Sequence, residues 1–507
     1  MNRLSERIKS FLGSKLFFYL VLGFFLLQAG WIAASALYPM AFDEAYHFET
    51  IQLYAEQWSP RLAEHPEEAE GLAAVHRYPS YLFHYLFSFP YRVTAEVTAD
   101  ETTQILALRL LNIALVAGGL VLLRRLFITS RVSPALTHVA ILFFTLIPIV
   151  PLLAAHINYD NLLLLLVPAI FLLTQRLMCD VQSKTIRFQP LLLWLSLLLL
   201  SGIVKYAMLP IITAVVVFVV GYAWWQWRPL DGARLRSQLQ TAWRQVHLAS
   251  KIGLIGLVLV SGILAFERYG LNLLQYNALV PSCDDVISYE ECLEFGPFAR
   301  NQAYLEDRDP DFEPSRLEHT GQWFSGMWYR LFFMINGDVP VDRYHNFAPL
   351  PIMAIGFSVL LVAGVGAMVR YRKQVFYRQP WNTLLLAVTL FYSLVLLQSN
   401  FSGYAELGRT AALNGRYLLL VLPLFLIPMS WAVAYALQHR DQVKTGVAIV
   451  ALAVLLQGGG LTSFIVRSSD TWYWPHPIVQ DANQRAQYFL DPLIYGSDEE
   501  HLNFIPR

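Results

Sequence analysis

Residues 16–48 read LFFYLVLGFFLLQAGWIAASAL followed by YPMAFDEAYHF. The first part, 16–37, is an unbroken apolar run, and a transmembrane helix needs about 20 such residues. The second part places two adjacent carboxylates, Asp43 and Glu44, just past the end of that run, with His47 four residues after Asp43. Basic residues Arg3, Arg7, Lys9 and Lys15 precede the run, as they would in a signal peptide. Its length and the lack of a small-x-small cleavage site predict a retained anchor instead.

The rest of the chain agrees with that reading. Of 507 residues, 56% are hydrophobic and only 15% charged, where soluble chains carry about 25% charge. Mean hydropathy is +0.44. Such a chain cannot shield its apolar surface from water, which excludes a soluble enzyme, a disordered chain and a nucleic-acid-binding module. Lysine plus arginine number 37 and aspartate plus glutamate 37, so no bulk basic field draws nucleic acid.

Eleven candidate spans follow from apolar runs: 16–37, 105–123, 135–152, 160–177, 190–204, 207–227, 252–270, 349–369, 381–399, 416–437 and 444–466. The fold class is therefore an all-α polytopic membrane protein. A transmembrane domain covers 1–466 and a tail covers 467–507. Lys/Arg bias in short loops sets orientation. With the N-terminus inside, the inner segments carry 21 basic residues and 4 acids, and the outer side carries 16 basic residues and 33 acids. That asymmetry, +17 inside and −17 outside, predicts large outer loops at 38–104 and 271–348 and an outer C-terminal tail.

Two stretches of the first outer loop predict helices lying in the membrane interface. One starts near Asp43, with Phe48, Ile51, Ala55 and Trp58 as its apolar stripe. The other is Tyr81–Val93, too short to span, with Leu82, Leu86 and Phe89 on one face and His84 and Ser88 on another. Trp472-Tyr473-Trp474-Pro475 suits the membrane–water boundary. Cys283 and Cys292 lie in the second outer loop, where an oxidising compartment predicts a disulfide. Cys179, at an inner helix end, reads as a reduced thiol.

Four clusters could carry chemistry, and each has a plain structural reading beside it. Asp43 and Glu44 could act as a general base or ligate a divalent ion, or could serve helix capping. Asp160, in His156-Ile157-Asn158-Tyr159-Asp160-Asn161, is the sole acid between Glu101 and Asp180 and could also be a cap. Lys205, in an apolar hairpin, either pairs with an anion such as a lipid phosphate or snorkels to the interface. Arg416, in Asn414-Gly415-Arg416-Tyr417-Leu418, stands at an outer edge against the basic bias, and guanidinium binds phosphate bidentately. Arg77 and Arg109 are weaker candidates of that kind. Rossmann, P-loop and His-Glu-x-x-His patterns are absent.

With these residues in place, the chain resembles the membrane glycosyltransferases of the C superfamily, which take sugars from polyprenyl-phosphate donors. The resemblance covers roughly residues 16–440, as topology plus four short motifs. These are Asp43-Glu44-x-x-His47-Phe48, Asn158-x-Asp160-Asn161, Lys205-Tyr206 and Asn414-Gly415-Arg416-Tyr417-Leu418. It looks closest to a bacterial branch without assigned substrates. There are departures. Tyr78-Pro79-Ser80-Tyr81-Leu82 stands where the family tends to have a Pro-Pro-Leu-Tyr-type stretch. A Trp-Trp-Asp sequon-binding motif is missing, and no large soluble domain follows residue 467, which disfavours a protein acceptor.

The resemblance implies transfer of a monosaccharide from a polyprenyl phosphate to a lipid or glycan acceptor at the outer face of a bacterial cytoplasmic membrane. Inversion at the anomeric carbon is expected. Asp43 and Glu44 would be catalytic. Lys205, Arg416 and Tyr417 would hold the donor phosphate, with His47, His84, Asp160 and Arg77 in support. Asp43, Glu44 and Asp160 would be the ligands if a divalent metal takes part, and metal use differs within the superfamily. Membrane lipids are the other expected partners. The alternative reading is a transporter or flippase for a lipid-linked or anionic substrate, and a third is a non-catalytic assembly factor.

Overall fold

The computed structural model describes residues 2–40, 43–62, 65–66, 69–228, 232–332, 351–377, 379–411, 413–438, 459–467 and 472–495. Among these the architecture is helical. The sole β-type pairing is an isolated bridge between Ala36 and Tyr473.

In chain order the helices are α1 (Asn2–Gly13), α2 (Lys15–Ser35), α3 (Glu44–Ala55), α4 (Leu82–Val97), α5 (Glu101–Thr129), α6 (Pro134–Leu146), α7 (Ile149–Ala154), α8 (Tyr159–Gln182), α9 (Phe188–Val204), α10 (Leu209–Gln226), α11 (Gly232–Gln245) and α12 (Leu248–Ala265). Then come α13 (Leu271–Tyr276), α14 (Tyr289–Leu293), α15 (Gly296–Glu306), α16 (Arg316–Phe332), α17 (Pro351–Arg370), α18 (Pro380–Leu407), α19 (Leu422–Ala436), α20 (Gly459–Arg467) and α21 (Pro477–Tyr495). Side-chain caps start several of them: Ser14 accepts from the Phe17 amide, Asp100 from Thr103 and Asn158 from Asp160. Each satisfies an amide that the helix itself leaves unpaired.

Among the described residues, six helices are long and apolar enough to cross a membrane: Lys15–Ser35, Glu101–Thr129, Tyr159–Gln182, Tyr206–Gln226, Leu248–Tyr276 and Pro380–Leu407. The chain is thus a membrane protein by composition and helix length, with six qualifying spans where eleven were expected. Four expected spans appear as shorter apolar helices, and the physical reasons are local. The run 135–152 breaks between α6 and α7 at Ile147-Pro148, because proline lacks an amide donor and disfavours helix at the preceding residue. The run 416–437 begins as a 3-10 turn, Gly415–Leu420, before α19. The runs 190–204 and 349–369 give Phe188–Val204 and the apolar segment Ile355–Arg370. The expected span 444–466 lies mostly outside the described residues.

α5 and α8 pack along each other at the centre. Gly119 makes this possible: a Cβ there would overlap the Leu164 carbonyl. Half of the apolar window of α8 is buried, against 6% for Leu248–Tyr276, so the latter helix lies on the perimeter. The chain returns from α20 to α2 through backbone bonds from Leu37 to the Trp472 carbonyl (2.8 Å) and from Trp474 to the Ser35 carbonyl (3.0 Å).

Both helices expected in the first loop form, as α3 and α4, and on α4 burial does not follow polarity. His84 and Ser88 are buried while Leu86 is exposed, because α4 packs its polar face on α3. Trp58 lies beyond the end of α3 and is exposed. Cys283 and Cys292 are joined in a disulfide, and Cys179 is a free exposed thiol.

Candidate functional site

Asp43 ends the loop after α2 with φ of 62°. This left-handed conformation disfavours most side chains but is tolerated by aspartate. Its carboxylate makes no helix cap. Instead Oδ2 accepts from Arg416 Nη2 at 2.8 Å. The Asp43 side chain is 43% exposed and that of Arg416 is 7%. Arg416 reaches this point because Gly415 sits against the Leu331 backbone, where a Cβ would lie 2.8–2.9 Å from main-chain atoms.

Glu44 points the other way, into the bundle. Its Oε1 accepts from Arg109 Nε (2.8 Å) and the Ile157 amide (3.2 Å), and its Oε2 from Arg109 Nη2 (2.7 Å) and the Met40 amide (3.1 Å). Arg109 also donates to the Ala33, Ala36 and Leu37 carbonyls and lies under the Trp474 ring. Burial pushes the Glu44 carboxyl up, but the Arg109 charge and hydrogen bonds, His156 and the Met40 amide outweigh it and hold it below the ordinary carboxylate range. Both oxygens are therefore occupied in tying α3 to α5.

One turn on, His47 Nδ1 lies 2.8 Å from His84 Nε2. Both rings are buried, and His47 packs edge-on against Tyr159 at 4.5 Å. Burial lowers His84 to about 3. It holds His47 well below its ordinary value, helped by His84 and by the Arg416 and Lys205 charges.

Asp160 sits in the first turn of α8, where Asn158 is the cap. Its Oδ1 accepts from Lys205 Nζ at 2.6 Å, and its buried Oδ2 has no hydrogen-bond partner. Lys205 stands at the break between α9 and α10, buried, so it neither snorkels nor reaches lipid. Its ammonium lies over the rings of Tyr159 (4.4 Å) and Tyr417 (5.3 Å). Arg416 lies over Tyr417 at the same distance, 5.3 Å. One tyrosine ring thus bridges the Asp43–Arg416 and Asp160–Lys205 pairs. The three carboxylates Asp43, Glu44 and Asp160 each bond to a different cation. No group of three or more His, Cys, Asp or Glu placed to share a metal occurs among the described residues.

Arg77 does not join this centre. It belongs to a second one that sequence reading missed. Phe266–Gly270 forms a π-helical turn between α12 and α13, a feature frequent at functional sites. There Glu267 is approached by Arg268 (3.0 Å), Arg77 (3.7 Å) and Arg61 (3.8 Å). Arg268 is 0% exposed, donates to the Tyr54 hydroxyl (3.2 Å) and lies over Tyr81 (4.3 Å). The Nε and Nη1 atoms of both Arg77 and Arg268 are buried without hydrogen-bond partners. His76 lies beside them, lowered to about 4 by burial, then by His65 and both arginines. Three guanidinium groups around one carboxylate, with unfilled donors, form a cradle for an anion. The signal was present in the sequence: Glu267-Arg268 is a charged pair inside an apolar run, which marks a functional position by default.

Five tyrosines lie between the centres. Tyr78 faces Tyr206 edge-on at 6.0 Å and is within electrostatic range of Tyr159 and Tyr46. Tyr206 is in range of Tyr417, and Tyr159 of Arg416 and Asp43. Three cavities stand elsewhere: a small apolar one between α5 and α8, one of about 740 Å³ between α3 and α4, and one of about 290 Å³ beside the disulfide. None is lined by Asp43, Asp160, Lys205 or Arg416. A scan of protein-family models finds no match to this chain, and no curated protein matches it.

Proposed function

We propose that the chain is a membrane glycosyltransferase that moves a monosaccharide from a polyprenyl-phosphate donor to a lipid or glycan acceptor at the outer face of the membrane. The observation that carries this reading is the pairing of a half-exposed carboxylate, Asp43, with a separate arginine cradle whose buried donors are unfilled. Asp43 takes the proton from the acceptor hydroxyl or amine. The acceptor oxygen or nitrogen bonds to the anomeric carbon, and the bond from that carbon to the phosphate oxygen breaks. The electron pair leaves with the polyprenyl phosphate, and cations stabilise the charge that develops.

Arg77 and Arg268 share the single carboxylate of Glu267 and keep buried donors without hydrogen-bond partners, which makes them the better candidates for the phosphate; Lys205 and Arg416 each hold a carboxylate of their own. Glu44 in this scheme is a positioning residue: it holds α3 through Arg109 and leaves the chemistry to its neighbour. Lys205 and Asp160 set the electrostatics beneath the site.

The test is label transfer from a polyprenyl-phosphate sugar in membrane vesicles. Asp43→Asn should lower transfer by about 10²–10⁴-fold, the usual contribution of a positioned base. Transfer near the wild-type rate in that variant sinks the assignment. The transporter reading has one observation in its favour, the charged Lys205 at a helix break. Net movement of the labelled lipid across the bilayer without transfer would select it.

A further inference from the structure

Tyrosines in membrane proteins usually form a belt facing lipid at the perimeter. Tyr46, Tyr78, Tyr159, Tyr206 and Tyr417 do not. They come from five places in the fold: α3, the loop before α4, the two helix starts at Tyr159 and Tyr206, and the 3-10 turn after Asn414. They converge on one another and on the two ion pairs. His47 and Lys205 contact the Tyr159 ring, and Lys205 and Arg416 the Tyr417 ring (4.4–5.3 Å). Each of the five keeps part of its surface accessible, and Tyr206 is 40% exposed. The charges beneath them are covered: Asp160 is 2% and Lys205 4% exposed.

The contacts run in sequence. Arg77, paired with Glu267, precedes Tyr78 in the chain; Tyr78 faces Tyr206; Tyr417 lies beside Arg416, which holds the half-exposed Asp43. Between Arg77 and Asp43 in this series lie phenol groups, which are neutral. Burial first, and neighbouring tyrosines next, hold the Tyr78 hydroxyl well above its ordinary value, so it stays protonated across physiological pH and shares a hydrogen bond with the Tyr206 hydroxyl. A phenol ring offers an apolar face and a polar tip. A ligand matched to this middle zone has apolar C–H faces and several neutral hydroxyls. A hydrocarbon tail leaves the phenol hydroxyls unused, and an anionic ring would avoid a carboxylate at one end.

We propose that this tyrosine floor binds the sugar ring of the donor, with Tyr78 and Tyr206 choosing among sugars by their hydroxyl pattern. The proposal rests on the glycosyl-transfer reading and extends it. The order cation cradle, neutral polyol floor, carboxylate is the order of leaving group, sugar and attacked acceptor in a single displacement.

The test uses the full chain in nanodiscs of phosphatidylethanolamine and phosphatidylglycerol, because maltoside or glucoside detergents would themselves compete. Probes are glucose 1-phosphate, galactose 1-phosphate, N-acetylglucosamine 1-phosphate and inorganic phosphate. Saturation-transfer NMR reports ring protons in contact, and competition gives affinities. At least one sugar phosphate should show strong ring-proton saturation and bind more tightly than inorganic phosphate. Tyr78→Phe and Tyr206→Phe should each weaken that sugar phosphate by about 5-fold, one neutral hydrogen bond, while phosphate affinity stays within about 2-fold. Both variants keep the ring, and unchanged phosphate binding verifies that the cradle is folded.

Sugar phosphates binding no better than phosphate, or Phe variants that leave sugar affinity untouched, overturn the proposal. If those results come with label transfer intact, the enzyme reading survives alone. Ring-proton saturation lost in the Phe variants, in a chain that transfers no label from any donor tried, supports the sugar floor and overturns the enzyme reading.

Discussion

Asp43 and Glu44 are neighbours with the same chemistry, and they should respond to the same substitution in opposite ways. Glu44→Gln replaces one acceptor oxygen by an amide that faces two N–H donors, whichever way it turns: Arg109 Nε and the Ile157 amide, or Arg109 Nη2 and the Met40 amide. It also leaves the Arg109 guanidinium, 1% exposed, without its counter-charge. Removing one partner of a buried pair costs about 3–5 kcal/mol. Arg109 keeps three carbonyl acceptors, so about 3 kcal/mol is expected. Asp43→Asn loses one bond at a side chain 43% exposed, and asparagine tolerates the left-handed backbone. Solvent screening puts that cost at about 1 kcal/mol. Unfolding by SDS in mixed micelles, read by circular dichroism, gives both values, and label transfer is measured on the same preparations. Glu44→Gln should be the less stable protein and Asp43→Asn the inactive one. A double-mutant cycle of Glu44→Gln with Arg109→Met should show coupling of about 2 kcal/mol. Equal stabilities, or a Glu44→Gln cost under about 1 kcal/mol, would refute the account of Glu44. The acid side gives a second check. The Glu44 carboxyl is held below 4.5 in the folded protein, so its stabilisation is present above that pH and fades as pH falls through the folded value. Glu44→Gln should flatten this part of the stability profile.

Three further outcomes follow. His84 at about 3, and His76 and His156 at about 4, are depressed by burial from 6.5. The unfolded chain therefore binds more protons in that window, and stability should be full above about pH 6.5 and fall steadily towards pH 4. His84→Phe should make that fall shallower in an SDS-unfolding series. Asp160→Asn should cost about 3–5 kcal/mol by leaving Lys205 charged and buried, whereas Asp160→Asn with Lys205→Met should recover most of it. A double variant as unstable as the single would mean that the pair does not govern stability. Gly119→Ala should cost about 1–3 kcal/mol by forcing α5 away from the Leu164 backbone. A thermal unfolding curve matching the wild type would show that the helices can part there without cost.

Much of the candidate site was legible along the chain, because residue type and membrane depth are local properties. Asp43, Asp160, Lys205 and Arg416 all lie in one connected cluster. What each does was not legible. Lys205 and Arg416 were expected to meet a lipid phosphate, and each meets a carboxylate instead, 45 and 373 residues away. Glu267-Arg268 was passed over inside an apolar run, since its partners Arg61 and Arg77 come from a loop about 200 residues earlier. The polar and apolar faces of α4 were legible, but not which would be buried: the polar one is dry, and His84 meets His47.

The sequence by itself determined that this is a helical membrane chain. Apolarity and length are sums over consecutive residues, and they set the six long spans without reference to any partner. The interruption at Pro148 was not legible in the same way, since Pro168 and Pro428 lie inside helices that continue past them. Only the tertiary structure decided which carboxylate of Asp43-Glu44 points inward. Asp43 stands just outside α3 in a left-handed conformation while Glu44 opens the helix, so the two side chains leave the backbone in different directions. Arg109, 65 residues away, and Arg416, 373 residues away, settled which of them is buried. A charge can be buried only where its partner arrives, and the arrival of partners is a property of the packed bundle.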